Sequence, residues 1–222
     1  GRPFGELLHP EDREKVKDFA LRRLEGKPVP TQYELRVITK SGETKWVEVR
    51  AHVIDYNGRP AVVGNQLDIT ERKRTEEERR LLTTAIEQAG EGVVQFSPDW
   101  VIEYVNPAYE RLSGFSKQEL IGRDVSFLGE RNINPFTGEP PHHVASRGKV
   151  WCGDIMWRKK TGEIVTIRIT VSPVRDARGE IINFFTVAQD ITEELRLHQM
   201  VTQAQKMEAI GSLAGGIAHD LK

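Results

Sequence analysis

Lys160-Thr161-Gly162-Glu163, followed by the alternating run Val165-Thr166-Ile167-Arg168-Ile169-Thr170-Val171-Ser172 and closed by Asp190-Ile191-Thr192-Glu193, is a block that the chain carries twice. The other copy runs from Lys40-Ser41-Gly42-Glu43 to Asp68-Ile69-Thr70-Glu71. Gly26-Lys27 and Gly148-Lys149 precede the two copies, and corresponding residues lie 120 to 122 positions apart. So constant an offset marks a duplicated structural unit. In the first copy Val47, Val49, Ala51 and Val53 share one face of an extended chain, with Trp46, Glu48, Arg50 and His52 on the other. In the second, Val165, Ile167, Ile169 and Val171 alternate with Thr166, Arg168, Thr170 and Ser172. This period of two is that of antiparallel strands with one buried face. Ser41-Gly42 and Thr161-Gly162 mark one tight turn per copy, Asn57-Gly58 and Arg178-Gly179 the next. Each copy therefore predicts a three-stranded meander.

The sequence before the two blocks differs. Gly92 to Phe96 and Val101 to Val105 read as two strands joined at Ser97-Pro98-Asp99. Asn106-Pro107 then supplies an N-cap with Pro at the first helical position, and Ser116-Lys117-Gln118-Glu119 a capping box. The first block is preceded by a helix from Pro10 to Glu25 with no counterpart of those opening strands. Asp68 with Glu71, and Asp190 with Glu193, are spaced as capping boxes that open helices. Glu71 to Arg80 is charged apart from Thr75, which reads as a solvated connecting helix. The expected organisation is a half-domain over 1–70, a linker helix over 71–80, a complete domain over 81–192 and a helix over 193–222. The fold class is α+β.

The 222 residues carry 32 Lys and Arg against 33 Asp and Glu, a formal net charge of −1. No excess of cations exists to displace counterions from phosphates, which excludes a nucleic-acid binder working by bulk charge. One cysteine, Cys152, excludes an intrachain disulfide framework and any multi-cysteine metal site. No apolar run approaches the roughly 20 residues of a membrane span, and no signal-peptide pattern opens the chain. A cytoplasmic location is the expectation, with any membrane anchor of a parent protein outside this chain.

His9-Pro10-Glu11-Asp12-Arg13, Tyr104-Val105-Asn106-Pro107-Ala108-Tyr109, Gly114-Phe115-Ser116 and the two Asp-Ile-Thr-Glu ends resemble PAS sensor domains with their PAC motifs. The resemblance implies tandem PAS-like domains, each an antiparallel five-stranded sheet with flanking helices, the first truncated to its C-terminal half. Asp99-Trp100 departs from the family, which usually has Asp-Gly or Asn-Gly between the opening strands. The stretch from Gln205 to Lys222 closely resembles the first helix of the dimerisation and phosphotransfer domain of sensor histidine kinases. Ala218-His219-Asp220-Leu221 looks like that family's phosphoacceptor box.

The likeness implies His219 as phosphoacceptor and Asp220 as the group that accepts or orients its proton. It also implies a homodimer, a response-regulator receiver domain as partner, and an ATP-binding catalytic domain outside this chain. Mg-ATP belongs to that parent kinase; no cofactor is implied within the chain, and the PAS ligand is left unnamed.

The residues of the last helix agree. Met200, Met207, Ala214 and Leu221 recur every seven positions, with Ile210 and Ile217 three after two of them, an a/d seam suited to a dimeric bundle. His219 lies about 200° around the helix from both Ile217 and Leu221, away from that seam. Gly211, Gly215 and Gly216 each cost roughly 1 kcal/mol against Ala in a helix interior, and permit either bending or close packing. A neutral imidazole has a free lone pair near pH 7 and can attack a γ-phosphoryl group in line.

Asp68, Thr70, Asp190 and Thr192 are first of all helix caps. They are also positioned to pass a shift of the sheet to the outgoing helix. The competing reading is a non-enzymatic PAS module for dimerisation or ligand binding whose last helix is a plain coiled coil.

Three further signals are weaker. His142-His143 lies where some PAS domains hold haem, with a surface loop as the default. Gly122 to Gly129 superficially resembles the flavin segment of LOV photosensors, but Val125 stands at the adduct-forming Cys position, so no thiol adduct can form there. Trp151, Cys152, Met156 and Trp157 are candidates to line a small-molecule pocket, or plain core.

Overall fold

The computed structural model describes residues 4–132 and 139–220, with side chains for 5–132 and 139–207. The chain divides into two compact units, Gly1–Thr83 and Thr84–Lys222.

In the first unit, helix α1 (Phe4–Leu7), a 3-10 turn (Pro10–Asp12) and helix α2 (Arg13–Leu24) precede strands β1 (Gln32–Ile38), β2 (Thr44–Tyr56) and β3 (Arg59–Asp68). The helix expected from Pro10 is present, its first turn Pro10–Asp12 being 3-10 and the remainder α-helical. The strands form an antiparallel meander in the order β1-β2-β3, as the alternation predicts. At Asn57-Gly58 both residues have positive φ (54° and 72°), as a two-residue hairpin turn following the right-handed strand twist requires. Leu8, Val16, Leu35, Val47, Val49 and Ala51 make a small core. Arg36 ties β1 to the 3-10 turn through Asp12, with Nε and Nη2 donating at 3.0 and 2.9 Å. That guanidinium holds the Asp12 carboxyl below the ordinary aspartate range.

The expected apolar face stops at Ala51. Val53 is 42% exposed, and Val63 and Leu67 on β3 are 47% and 63% exposed, because β2 and β3 outrun the residues that pack on them. Among the described residues the outer edge of β3 has no strand partner, whereas its counterpart in the second unit is paired on both sides. Amide exchange over Tyr33 to Val63 is therefore expected to be faster than over Val165 to Val187, measured by hydrogen exchange. Equal protection would mean that another chain covers this edge.

Helix α3 (Thr70–Gln88) is the connecting helix, and it is longer than the 71–80 read from charge. Nothing in Leu81 to Gln88 opposes helix, and Leu81 and Leu82 are exposed on it, not buried as the start of a core.

The second unit has strands β4 (Gly92–Phe96) and β5 (Ile102–Val105), helices α4 (Pro107–Ser113), α5 (Lys117–Leu120), α6 (Val125–Gly129) and α7 (Pro141–Ser146), then strands β6 (Trp151–Arg158), β7 (Ile164–Arg175) and β8 (Ile181–Asp190), and helix α8 (Thr192–Asp220). The sheet order is β5-β4-β8-β7-β6, antiparallel throughout, so the last strand lies beside the first at the centre. Val165, Ile167, Ile169 and Val171 are buried as the alternation requires, in one core with Leu120, Tyr109, Ala145 and Trp157.

Asn106 caps α4, its Oδ1 accepting from the Tyr109 amide at 2.9 Å, and the Ser116–Glu119 capping box opens α5. The turn between β4 and β5 contains Trp100 at φ +63°. For a bulky residue this left-handed conformation costs on the order of 1–3 kcal/mol. Stacking of its indole on Phe184, centroids 4.0 Å apart and planes 12° apart, offsets part of that cost.

Candidate functional site

At the root of each outgoing helix the same short sequence builds the same joint. In the first unit the Ile69 amide donates to Trp46 O at 2.9 Å, and the Trp46 amide donates back to Thr70 Oγ1 at 3.0 Å. Asp68 Oδ1 takes the Thr70 amide at 2.9 Å. In the second unit the Ile191 amide donates to Thr166 O at 2.9 Å and the Thr166 amide to Thr192 Oγ1 at 2.9 Å. Asp190 Oδ1 takes the Thr192 amide at 3.0 Å. Ile69 and Ile191 are buried beneath the joints.

The threonine hydroxyl thus fills an open ladder position on the neighbouring strand while its backbone starts the helix. The capping boxes expected with Glu71 and Glu193 are not formed. The aspartates reach the amide two residues on, because Asp68 and Asp190 are still in their strands and the helices begin at Thr70 and Thr192.

Lys45 Nζ lies 2.8 Å from Asp68 Oδ2, and this ammonium, with the Thr70 bonds, holds the Asp68 carboxyl far below its ordinary value. A lowered folded-state pKa adds stability that is fully present above the unfolded value of about 3.9 and is lost as pH falls below it. Thermal unfolding of the first unit is therefore expected to weaken less steeply below about pH 4 in Asp68→Asn than in the unaltered chain. Parallel curves for the two would mean that Asp68 contributes nothing to the acid limb.

Helix α8 carries His219 and Asp220 on a continuous helical backbone from Thr192. Met200 and Met207, two positions of the expected seam, are exposed. The side chains of Ile210, Ala214, Ile217, His219 and Asp220 lie outside the described residues, as do Leu221 and Lys222 entirely.

Between the sheet of the second unit and α4, α6 and α7 lies a cavity of about 230 Å³, lined by Phe96, Trp100, Tyr109, Val125, Asn132, His142, Trp157, Ile167 and Thr186 among others. Burial lowers the His142 imidazole and raises the Tyr109 phenol. Asp124 accepts from the Ser126 amide at 2.8 Å, a bond that lowers its carboxyl.

Of the four residues proposed from sequence to line a pocket, only Trp157 does. Trp151 packs on the same core without reaching the cavity, while Cys152 and Met156 point to the opposite face of β6. His142 and His143 are in α7, not in a loop, and His142 lines the cavity edge-on to Trp100 at 5.8 Å. No group of three or more metal-ligating side chains forms among the described residues.

Sequence reasoning missed Trp100 and Asn132 as lining residues. The first had a signal, a bulky residue where a glycine fits the turn; Asn132 had none.

A five-stranded antiparallel sheet with short helices over a cavity, and a helix tethered to its last strand, define a small sensory fold. The chain has the PAS fold. Residues 90–193 match the family model described as PAS domain, and residues 1–65 match one described as PAS fold.

The chain is similar in sequence to proteins named as two-component sensors and histidine kinases. It is 26% identical to the Two-component sensor PprA of Pseudomonas aeruginosa, over 99% of this chain and 24% of that protein. It is 24% identical to the Sensor protein FixL of Bradyrhizobium diazoefficiens, over 98% of this chain and 46% of that protein. A Probable diguanylate cyclase, DgcE of Escherichia coli, is 24% identical over 94% of this chain and 20% of its own length. The chain thus spans less than half the length of each of these relatives. Among the described residues no helix is long and apolar enough to cross a membrane.

Proposed function

We propose that the chain is the sensory and phosphotransfer part of a two-component sensor histidine kinase, located in the cytoplasm. The segment 81–192 is a complete PAS domain that senses; 1–70 is the C-terminal half of another PAS domain, joined to it through a linker helix over 71–80. The segment 193–222 is the start of a dimerisation and phosphoacceptor helix that pairs with a second copy of the chain. Asp68, Thr70, Asp190 and Thr192 couple sheet to helix.

In the reaction, neutral His219 attacks the γ-phosphoryl group of ATP presented by a catalytic domain outside this chain. An N–P bond forms, the bond to the bridging oxygen breaks and ADP leaves. Mg²⁺ neutralises charge on the phosphate oxygens. Asp220 takes or holds the proton of the other ring nitrogen, made more acidic as the phosphoramidate forms. The phosphoryl group then passes to an aspartate of a response-regulator receiver.

The observation that supports this reading most is the coupling joint: Thr192 is bonded to β7 at one end of a helix that continues without a break to His219. Similarity to a diguanylate cyclase as well as to kinases means that the sensory units alone do not choose the effector. Labelling does. Alone with Mg-ATP the chain is expected to stay unlabelled. With the parent's ATP-binding domain added, it is expected to gain a label that is acid-labile and alkali-stable. No label in the second condition would favour the non-enzymatic PAS module.

A further inference from the structure

The chain as a whole is close to neutral, yet one patch of the second unit is not. Phe115, after α4, and Phe127, in α6, meet edge-on with ring centroids 5.3 Å apart. Three cations lie over this ring pair. The Arg131 guanidinium is 4.6 Å from the Phe115 centroid and 5.4 Å from that of Phe127. Arg123 lies 5.2 Å from Phe127, and Lys160 lies 5.4 Å from Phe115. These residues come from separate stretches of sequence, so no basic run announces the patch.

The cations differ in what balances them. Lys160 is neutralised by Glu119 at 2.6 Å, and that ammonium, with the Ser116 bonds, holds the Glu119 carboxyl down at about 2. Arg123 donates Nε to a neutral group, the Glu119 carbonyl, at 3.4 Å. Among the described residues neither Arg123 nor Arg131 forms an ion pair with a carboxylate, that of Glu130 included. Both guanidiniums lie over Phe127, within about one Debye length of each other, roughly 10 Å at 0.1 M salt. Their repulsion stands unrelieved.

A guanidinium stacked on a ring keeps its N–H edge free in its own plane, the geometry that takes a carboxylate side by side. Arg123 is exposed, and Arg131 and Phe127 are half-buried. So open a surface leaves most of a small ligand in water, whereas a protein segment brings contact area of its own. Arginine and aromatic side chains together are the groups that dominate such contacts. Two free cations are too few for a long polyanion, and the chain has no net positive charge to hold one. We propose that Arg123 and Arg131, backed by Phe115 and Phe127, are a docking site for an acidic segment of a partner protein. Neighbouring carboxylates of the segment take one guanidinium edge each, and Phe127 gives it an apolar floor. Docking here needs no phosphoryl transfer, so failure to bind and failure to label are separate results.

The test uses the whole 222-residue chain with a capped hexaglutamate peptide and its hexaglutamine counterpart as probes. Calorimetry gives affinities, and the arginine Nε–H resonances report the place. The glutamate peptide is expected to shift the Arg123 and Arg131 signals, and the glutamine peptide to leave them unmoved. Affinity is expected to fall as salt is added, since the attraction is between exposed charges. Arg123→Gln and Arg131→Gln are each expected to weaken the glutamate peptide about fivefold or more. Arg131→Lys keeps the charge but loses the fork, and is expected to weaken it about threefold. Arg178→Gln, in the turn between β7 and β8, is expected to stay within about twofold of the unaltered chain.

Unmoved Arg123 and Arg131 signals with the glutamate peptide overturn the proposal, as does a loss in Arg178→Gln equal to that in Arg131→Gln. Full affinity in Arg131→Lys overturns the fork geometry and leaves only a point charge. A single-stranded oligonucleotide or an anionic vesicle that engages the same two arginines more tightly than the peptide overturns the choice of partner. Should Arg131→Gln not fold, Arg123→Gln on its exposed side chain and the peptide pair on the unaltered chain decide the matter.

Discussion

Supplied with Mg-ATP and the parent's ATP-binding domain, the His219→Ala chain is expected to take up no phosphoryl label at all. Alanine keeps the helix, having the highest helix propensity, and removes the only proposed nucleophile. Asp220→Asn is the more informative partner. It keeps size and helix but cannot take a proton, so labelling at His219 is expected to slow by about 10²–10⁴-fold, the range for a lost general base. The rate should be read from initial labelling at saturating Mg-ATP, since a carboxylate acting on the proton changes turnover and not nucleotide affinity. Full labelling of His219→Ala would remove the kinase reading of this helix. An unchanged rate in Asp220→Asn would leave the histidine its role and take the aspartate's away.

The largest expected effect on stability belongs to Asn106. It is fully buried and joins four backbone groups. Its Oδ1 accepts from the Val93 amide at 2.8 Å and the Tyr109 amide at 2.9 Å, and its Nδ2 donates to Ile86 O at 3.0 Å and Glu91 O at 2.9 Å. One carboxamide thereby fixes β4, the start of α4 and the end of α3 in the second unit.

Asn106→Leu keeps the volume and leaves these groups without their partner. The Tyr109 amide retains a bond to the Asn106 backbone carbonyl, so the loss is less than four full bonds. We expect about 3–4 kcal/mol, a large share of the roughly 5–15 kcal/mol that holds an ordinary domain folded. Urea unfolding followed through the β4 and β8 amides measures it. A loss under about 1 kcal/mol would mean that water serves the stranded groups equally well.

Asn106 also shows how far a sequence can be read. Its N-cap role follows from the Asn-Pro pair, because caps are local and act within one helical turn. Its bonds to Ile86 and Glu91 could not be foreseen, since they depend on where α3 ends in space. The strands were legible for the same local reason: Val165 to Val171 alternate, and alternation is all that one buried face requires. Alternation failed to say that burial would stop at Ala51, because the extent of a core depends on what lies across it.

The Asp-Ile-Thr motif gave away the joint but not its bonds. The spacing to Glu71 suggested a reciprocal box, while the threonine hydroxyl went to the adjacent strand. In the cavity, Trp157 was marked from sequence, but which residues of β6 face inward is settled by register with β7. Ile155 and Trp157 fall on the inner side and Met156 on the outer.

The position of β8 has a mechanical consequence. Thr186 and Ala188 line the cavity, and four residues after Ala188 the chain is already at Thr192, the first residue of α8. From Thr192 to His219 the helix is a rod of about 40 Å at 1.5 Å per residue. A lever of that length magnifies a small angle: a tilt of about 5° at Thr192 carries the far end through about 3.5 Å. A misplacement of about 1 Å is enough to slow an in-line transfer by about a hundredfold. Under the phosphoacceptor role proposed for His219, a change at the fulcrum too slight to disturb any core contact would be enough to bring that position into or out of range of a phosphate donor.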